Sequence, residues 1–238
     1  MPSQIILYDV IQLDLLSPQV SRLVLQPRDL KISLGFVAGQ YIKVIHDDGG
    51  ESPLSIACAP SETLQIELHL SHPAKNQKAL EILSQAKAGV PLRISGPYGT
   101  CTLQRMLPDA ALLFYVRGTG FAPAKAMLEE LVKRPLVQPV HLFWGVATAA
   151  DFYLQDLIKS WEHAFADFRY TPIVSRTVDQ HKLRDAVILA HPDLSGFQIY
   201  ASGPPEMVYS ALTDFQQHGL YKERFYSDVI DYESKPIL

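Results

Sequence analysis

The sequence predicts two domains, an N-terminal antiparallel β-barrel and a C-terminal α/β domain with a five-stranded parallel sheet. Up to about residue 105, short extended runs alternate with Gly, Pro, Asp and Ser, a pattern typical of a small barrel. From residue 110 onward, apolar runs alternate with amphipathic helical segments, a pattern typical of a parallel sheet covered by helices. Pro108 lies between the two patterns. We therefore expect one domain over residues 1–105 and a second over residues 106–238.

Six extended runs are the expected strands of the barrel, and one helix interrupts them. In residues 64–70, apolar side chains alternate with polar ones such as Glu67 and His69, which predicts a strand with one buried face and one face in water. The apolar residues of segment 79–83 fall on one helical face, and Gly89 is the expected end of that helix. The expected strands are residues 5–10, 21–25, 41–45, 54–57, 64–70 and 91–95.

The second half of the chain is expected to contain five strands separated by four helices. The first of these helices has apolar residues at i, i+3, i+4, i+7 and i+8 from Ala124, the spacing of one buried face. Glu129 and Glu130 are expected on its solvent side. Parallel sheets bind ligands at the carboxyl ends of their strands, so the turns that follow the strands are the candidate sites. The expected strands are residues 111–116, 140–144, 168–174, 197–201 and 224–229.

Composition narrows the classes of function. There are 21 Lys and Arg residues against 25 Asp and Glu residues, and the resulting net charge of −4 gives no electrostatic basis for dedicated nucleic-acid binding. Two cysteines are too few for an all-cysteine iron–sulfur cluster or a four-cysteine zinc site, and the eight histidines are scattered, so no metal site is expected. The sequence has no apolar run of about 18 residues and no signal-peptide pattern, so we expect a cytoplasmic protein without a membrane span. The sequence does not predict the oligomeric state.

Two turns after predicted strands have the residues that a phosphate site needs. In Gly118-Thr119-Gly120, two glycines allow the backbone to approach a phosphate, and the helix that follows offers free N–H groups and a positive dipole end. Ser202-Gly203-Pro204 begins another helix at the same edge of the sheet. Each turn taken alone is also explained as a tight connection between a strand and a helix. Their shared edge favours a dinucleotide phosphate site.

Six segments, in one order along nearly the whole chain, resemble the ferredoxin–NADP reductase superfamily. The two turns described above resemble that family's nicotinamide-binding motifs. The other four segments are Gly39-Gln40-Tyr41, Ser95-Gly96-Pro97-Tyr98-Gly99, Phe143-Trp144-Gly145 and Val174-Ser175-Arg176. The closest resemblance is to the short NAD(P)H-dependent flavin reductases. It implies a flavin-binding barrel followed by an NAD(P)-binding sheet.

The resemblance also implies a reaction, hydride transfer from C4 of a nicotinamide to N5 of a flavin. The implied ligands are NADH or NADPH together with FAD, FMN or riboflavin, the flavin being either a bound cofactor or a substrate. Ser55, near N5, and Ser202, near the nicotinamide, are the implied catalytic residues. The implied binding residues are Ser52, Pro53, Leu54 and Ser55 at the flavin, His69 and Leu70 at its ribityl side, Gly118, Thr119 and Gly120 at the pyrophosphate, Ser175 and Arg176 at the adenosine ribose, and Ser202, Gly203 and Pro204 at the nicotinamide.

The sequence departs from the family pattern within this implied site. Ser52 and Leu54 stand where the family has an arginine and an aromatic residue, and a serine cannot make the charged, bidentate phosphate contact of an arginine. Arg117 replaces the first glycine of the family's Gly-Gly-Thr-Gly, and Ser202 replaces a cysteine. Whether Arg176 contacts the 2′-phosphate of NADPH is left open by the sequence.

These departures leave two alternatives to a flavin reductase. One is an interaction or regulatory module that keeps the fold but binds flavin weakly. The other is a reductase component that delivers electrons to a separate oxygenase and therefore has a redox protein as its partner. A redox-partner role shares the hydride chemistry of a flavin reductase, whereas the interaction module does not.

Overall fold

A computed structural model describes residues 5–61, 64–176 and 181–233. Its N-terminal part is a six-stranded antiparallel sheet with the strand order β4-β3-β6-β1-β2-β5. One helix, α1 (Gln77–Lys87), buries its apolar face against the inside of this sheet. The strands are β1 (Ile6–Ser17), β2 (Val20–Pro27), β3 (Tyr41–Ile45), β4 (Glu51–Ser55), β5 (Ile66–Ser71) and β6 (Leu92–Tyr98).

The two edge strands of this sheet meet and close it into a barrel. Ile56, directly after β4, forms an antiparallel bridge with Leu68 of β5. The N–H of Ala57 donates a hydrogen bond of 2.7 Å to the carbonyl oxygen of Glu67. Closure removes the free edges that an open sheet exposes. It also brings the end of β4 beside β5, and this corner of the barrel faces the second sheet.

The C-terminal part is a five-stranded, fully parallel sheet with the order β11-β10-β7-β8-β9, so the predicted fold class is confirmed. Alternate residues of the central strand β7 point to two separate apolar cores, one under α2 and α3 and the other under α4 and α5. None of the helices in the described part of the chain is both long and apolar enough to cross a membrane. The strands are β7 (Ala111–Arg117), β8 (Val140–Val146), β9 (Phe168–Val174), β10 (Phe197–Ser202) and β11 (Phe225–Tyr226). The helices are α2 (Phe121–Val132), α3 (Gln155–Ala164), α4 (His181–Ala190), α5 (Pro205–Gln217) and α6 (Asp228–Glu233).

Two strand boundaries differ clearly from those expected. β1 has 12 residues and continues past residue 10, because register shifts near Val10 and Leu15 interrupt the simple alternation that marks a strand in the sequence. β11 has only two residues, whereas residues 224–229 were expected to be extended. It pairs with β10 through Phe225 and Tyr226 alone, and the chain then enters α6.

The expectation that one face of β5 lies in water is wrong. Glu67 is 7% exposed and His69 is 3% exposed, so the polar face of the strand is as buried as the apolar face. Side chains from the second sheet cover it, since Lys125 of α2 contacts Glu67 and Tyr153 contacts His69. The alternation in the sequence is therefore real, but the polar face of β5 lies at the contact between the two parts of the molecule.

Candidate active site

Three neighbouring clefts share one wall, formed by Pro53 and Leu54 of β4. The turn cleft, of about 460 Å³, lies between this wall and the two glycine turns after β7 and β10. The α1 cleft, of about 260 Å³, lies between the wall, β5 and the beginning of α1. The α6 cleft, of about 410 Å³, lies between the wall, β3 and the beginning of α6. β4 therefore connects the barrel side and the sheet side of the candidate site.

Most of the predicted site residues line the turn cleft. The exceptions are Ser52 and Leu70, which line the α1 cleft, and Ser175 and Arg176, which line none of the three clefts. Those lining the turn cleft are Pro53, Leu54, Ser55, His69, Gly118, Thr119, Gly120, Ser202, Gly203 and Pro204. The structure thus brings residues far apart in the sequence to one place, and their contacts with a ligand stay a prediction.

The two glycine turns touch each other. A Cβ atom on Gly120 would lie 2.2 Å from the carbonyl oxygen of Ser202, so no larger residue fits there without movement of the backbone. Its φ of −58° is ordinary, so the requirement for glycine comes from this close approach and not from the backbone conformation. Gly118 has a φ of +54°, so there the backbone conformation itself favours glycine. Helix α2 begins directly after this turn, and the N–H of its first residue, Phe121, donates back to the carbonyl oxygens of Gly118 and Thr119.

The hydroxyl of Ser52 is already engaged within the barrel. Its Oγ lies 2.8 Å from Nε2 of His46, and Nδ1 of His46 lies 3.1 Å from a carboxylate oxygen of Glu81 on α1. Because a carboxylate only accepts, Nδ1 carries the hydrogen in that contact. The His46 side chain is 1% exposed, so this chain of hydrogen bonds belongs to the interior between β3, β4 and α1.

The α1 cleft has no cationic side chain among its lining residues, which are Ser52, Pro53, Leu54, His69, Leu70, Ser71, Asn76, Ala79, Ile82 and Thr119. Lys75, two residues before α1, is exposed and does not line it. Asn76 caps α1 by accepting a hydrogen bond of 3.1 Å from the N–H of Ala79. The hydroxyl and amide groups of this lining suit a polyol chain, and its apolar side chains suit a planar ring. It offers no counter-charge for a phosphate.

His69 lies at the junction of the turn cleft and the α1 cleft with both ring nitrogens occupied. Nε2 lies 2.9 Å from a carboxylate oxygen of Glu67, and Nδ1 lies 3.1 Å from the hydroxyl of Tyr153. Burial lowers the pKa of His69, although the hydrogen bond to Glu67 and its charge oppose this, so the ring is neutral. Nε2–H therefore donates to Glu67 and Nδ1 accepts from Tyr153. The ring is held in one tautomer and has no free nitrogen to act as an acid or base.

A buried cluster of charges supports His69 and was not predicted. Lys125 of α2 donates to the carbonyl oxygen of Ala57 at 2.8 Å and contacts Glu67 at 3.2 Å and Glu129 at 2.7 Å. Burial alone raises the pKa of Glu67, but the hydrogen bond from His69 and the charges of Lys125 and Arg22 outweigh it and lower that pKa to about 2. Glu67 is therefore ionised at neutral pH.

Glu129 also departs from its predicted place on the solvent side of α2. Its second carboxylate oxygen accepts a hydrogen bond of 3.0 Å from the N–H of Ala59 in the barrel, so it belongs to the contact between the two sheets. The sequence gives little sign of this cluster, because each charge in it is ordinary until the tertiary fold pairs it. A lysine beside Ala124, at the margin of the buried face of α2, is the one available signal.

Ser175 and Arg117 form a pair that the sequence did not indicate. Nη1 of Arg117 donates to Oγ of Ser175 at 2.8 Å, and Nη2 donates to its carbonyl oxygen at 2.8 Å. Ser175 is 1% exposed, and its contact with a ribose stays a prediction. Arg176, the next residue, is exposed at the end of β9.

The α6 cleft contains one buried polar atom without a partner in the described part of the chain, Oγ of Ser227. The residue is 3% exposed. Buried hydroxyls in proteins are nearly always hydrogen-bonded, and this one, in a cleft wall, can be completed by water or by a ligand. Ser227 directly precedes α6 and was not predicted as a site residue.

Comparison with known proteins agrees with this geometry. Residues 116–212 match the family model described as the oxidoreductase NAD-binding domain. Over 198 residues the chain is 35% identical to the CDP-6-deoxy-L-threo-D-glycero-4-hexulose-3-dehydrase reductase of Yersinia pestis, with 81% of this chain and 59% of that protein covered. It is 28% identical to the NAD(P)H-flavin reductase of Vibrio harveyi, with 81% of this chain and 86% of that protein covered. The chain thus spans about three-fifths of the length of the Yersinia relative and most of the length of the Vibrio one.

Solved structures share the whole architecture. The cytochrome P450 reductase GcoB of Amycolatopsis superposes with a TM-score of 0.83 at 24% identity, covering 95% of this chain and 70% of that one. These relatives agree with the closed barrel, the five-stranded parallel sheet and the two glycine turns in contact at one sheet edge. The fold and these relatives together support the ferredoxin–NADP reductase superfamily as the family of this chain.

Proposed function

We propose that this chain is an NAD(P)H-dependent flavin oxidoreductase that transfers a hydride from nicotinamide C4 to flavin N5. The observation that carries the proposal is the shared wall of Pro53 and Leu54 on β4. A ring lying on this wall is within the same cleft system as the glycine turns Gly118–Gly120 and 202–204. When bound, the flavin supplies a ring atom that accepts a hydride; the protein supplies position and the exclusion of water.

The residues of the chain divide this positioning between the two sheets. Leu54 gives an apolar surface for a ring, and the Ser55 hydroxyl beside it is the polar group nearest to N5 in the proposed orientation. The turn Gly118–Gly120, at the beginning of α2, binds a pyrophosphate, because the positive end of the helix dipole favours an anion there. Ser202 and Gly203 hold the nicotinamide against the ring. We assign residues 1–105 to the flavin domain and residues 106–238 to the nucleotide domain.

The neutral lining of the α1 cleft supports a flavin that is bound by its ring and ribityl chain. Ser52, at the family's arginine position, is hydrogen-bonded to His46, and no lysine or arginine lines that cleft. FAD and FMN therefore gain little from their phosphates, and riboflavin binds about as tightly. Such a flavin exchanges with solution and behaves as a substrate.

The proposal is tested by absorbance and by NAD(P)H oxidation with the purified protein. We expect a nearly colourless protein that oxidises NADH or NADPH only when riboflavin, FMN or FAD is added. A protein that binds none of the three flavins, but still folds cooperatively, contradicts the proposal and favours the interaction module. Replacing Ser55 with Ala and measuring kcat and flavin Kd separately checks its role, since a role near N5 lowers kcat more than it weakens binding.

A reductase component for a separate redox protein is the second candidate. What favours it is the longer Yersinia relative, whose name describes a reductase paired with a dehydrase and of which the chain covers 59%. The proposed partner is a redox protein such as an oxygenase, which the chain reduces. The test is co-purification of a redox protein whose reduction by NAD(P)H requires this chain and proceeds without free flavin.

We also propose that the protein works in the cytoplasm. Cys58 and Cys101 are not joined by a disulfide in the structure, as expected in a reducing compartment. Cell fractionation with detection of the native protein is the corresponding measurement, and recovery from the periplasmic fraction contradicts this assignment.

A further inference from the structure

The guanidinium of Arg117 reaches across the carboxyl ends of three neighbouring strands. Arg117 is the last residue of β7, and its two terminal nitrogens bond to Ser175, directly after β9. Between them lies Gly145 of β8, where a Cβ atom would be 3.6 Å from Nη1 of Arg117. The Cβ of Arg117 lies beside Gly203, whereas its guanidinium lies over the ends of β8 and β9.

The charge of Arg117 has no carboxylate partner among the described residues, although it lines the turn cleft. Its two hydrogen bonds go to a hydroxyl and a carbonyl, which leave the positive charge uncompensated. A guanidinium has five N–H donors, so three remain for a ligand. The carboxylate of Asp151, in the loop that follows β8, accepts from the N–H and the hydroxyl of Thr148.

We propose that Arg117 binds the 2′-phosphate of the adenosine ribose and makes the protein selective for NADPH over NADH. This inference rests on the proposed function, because it requires a dinucleotide on the glycine turn. A dinucleotide whose pyrophosphate lies at Gly118–Gly120 and whose nicotinamide lies at Ser202 extends its adenosine half over β8 and β9. The guanidinium lies at those two strand ends.

Two features of the site favour the ribose phosphate over the pyrophosphate as the partner of Arg117. Its guanidinium is anchored at Ser175 and is thus directed away from the turn that begins α2. In sheets of this type, an acidic residue at a neighbouring strand end binds the 2′-hydroxyl of NAD, whereas an arginine accommodates the 2′-phosphate of NADP. The residues after β8 and β9 are Ala147 and Ser175, so no acidic residue stands directly at either strand end.

The test compares NADP⁺ with NAD⁺, which differ only in the 2′-phosphate, by isothermal titration calorimetry without flavin or reductant. We expect wild-type protein to bind NADP⁺ about ten- to a hundredfold more tightly, the range of one or two charge-assisted hydrogen bonds. Arg117→Gln is expected to reduce that preference to about threefold or less by weakening NADP⁺ binding alone. Arg169→Gln, the same change at the opposite end of β9, serves as the control and should keep the wild-type preference.

Each alternative result has a separate meaning. Equal weakening of both nucleotides in Arg117→Gln assigns Arg117 to the pyrophosphate and overturns the proposal, while leaving the nucleotide site intact. Loss of the preference in Arg176→Gln but not in Arg117→Gln also overturns it. If wild-type protein binds neither nucleotide, the proposed function fails as well. Should Arg117→Gln fold poorly, Arg117→Lys keeps the charge but not the fork, so it should retain part of the preference for NADP⁺. Equal weakening of NADP⁺ and NAD⁺ in that variant, or an undiminished preference for NADP⁺, counts against the proposal.

Discussion

Nζ of Lys125 lies 3.2 Å from a carboxylate oxygen of Glu67, and this contact joins the helix after the glycine turn to a strand of the barrel. Both side chains are buried, with 5% and 9% of their surface exposed. Lys125 is also bonded to the carbonyl oxygen of Ala57, directly beyond β4. One ammonium group thus fixes α2 relative to both strands that border the flavin side of the site. The relative position of the two proposed rings depends on this contact.

Replacing Lys125 with Met should destabilise the protein by about 3 kcal/mol, because buried Glu67 then keeps only Arg22 as a cationic partner and half-buried Glu129 loses its own. The measurement is urea unfolding near neutral pH. Lys133→Met is the matched control: it is on the same helix side, contacts Glu130 and the carbonyl oxygen of Pro60, but is 53% exposed. That variant should lose about 1 kcal/mol or less. Equal losses in the two variants contradict a special role for the buried contact.

Acid should weaken the folded state through Glu67. Its pKa falls from an ordinary value of 4.5 to about 2 on folding, so its contribution is fully present above pH 4.5 and disappears as the pH falls toward 2. The shift corresponds to about 3 kcal/mol. His69 acts in the same direction, since burial lowers its pKa: below its ordinary value of 6.5 the unfolded chain takes up a proton that the buried neutral ring does not, and the folded state loses stability.

The variant Glu67→Gln separates these contributions. It should be less stable than wild type near neutral pH, and its free energy of unfolding should fall less between about pH 7 and about pH 3. The comparison uses urea unfolding at several pH values in that range. Parallel pH profiles for the two proteins exclude Glu67 as a main source of the acid sensitivity.

The sequence predicts most of this fold because periodicity reports directly on burial within an element. It is misleading where burial comes from another part of the chain. Glu67 and His69 look like the wet face of a strand, and only the packing of Lys125 and Tyr153 against them reverses that interpretation. Ser175 is similar: its position at a strand end predicts a ligand contact, but Arg117 occupies its hydroxyl. The sequence motifs indicate where the candidate site lies. Contacts between residues that are far apart in the sequence determine which of its polar atoms remain available.

Nucleotide binding should respond to charge at Thr119, between the two glycines of the first turn. Gly120 is unsuitable for this test, because a side chain there collides with the backbone of Ser202 and perturbs the fold. Thr119→Asp places a negative charge in the turn cleft and should weaken NAD(P)H binding at least about tenfold, or about 1.4 kcal/mol. Thr119→Asn, neutral and of the same size, should have a clearly smaller effect. Similar affinities for the Asp and Asn variants speak against a phosphate at this turn.

Ser227 offers a test of the α6 cleft that does not depend on stability. Its Oγ has no partner among the described residues, so Ser227→Ala should change the free energy of unfolding by no more than about 0.5 kcal/mol. If the carboxamide of the nicotinamide forms a hydrogen bond with this hydroxyl, the same variant should bind NAD(P)H about two- to tenfold more weakly, the range of one neutral hydrogen bond. ADP-ribose, which lacks the nicotinamide, should bind both proteins equally. An equal loss for ADP-ribose places the effect of Ser227 elsewhere.

Restoring a positive charge at position 52 should make the protein distinguish phosphorylated flavins from riboflavin. Ser52 lines the α1 cleft, where the described lining residues include no cation, and its hydroxyl is bonded to His46. Ser52→Arg should therefore strengthen FMN and FAD binding about ten- to a hundredfold and leave riboflavin within about twofold. Loss of the contact with His46 should lower stability by about 1 kcal/mol.

Titration of all three flavins against wild type, Ser52→Arg and Ser52→Gln, at low and at high salt, measures this effect. Ser52→Gln has a long polar side chain without a charge, so it controls for the lost contact with His46 and for simple filling of the cleft. The gain in Ser52→Arg should shrink as the salt concentration rises, because it is electrostatic, whereas riboflavin affinity should not change. Two results oppose the argument. A wild-type protein that already prefers FAD by several orders of magnitude has another cation at the phosphate, and an equal gain for all three flavins means that residue 52 acts on the ring.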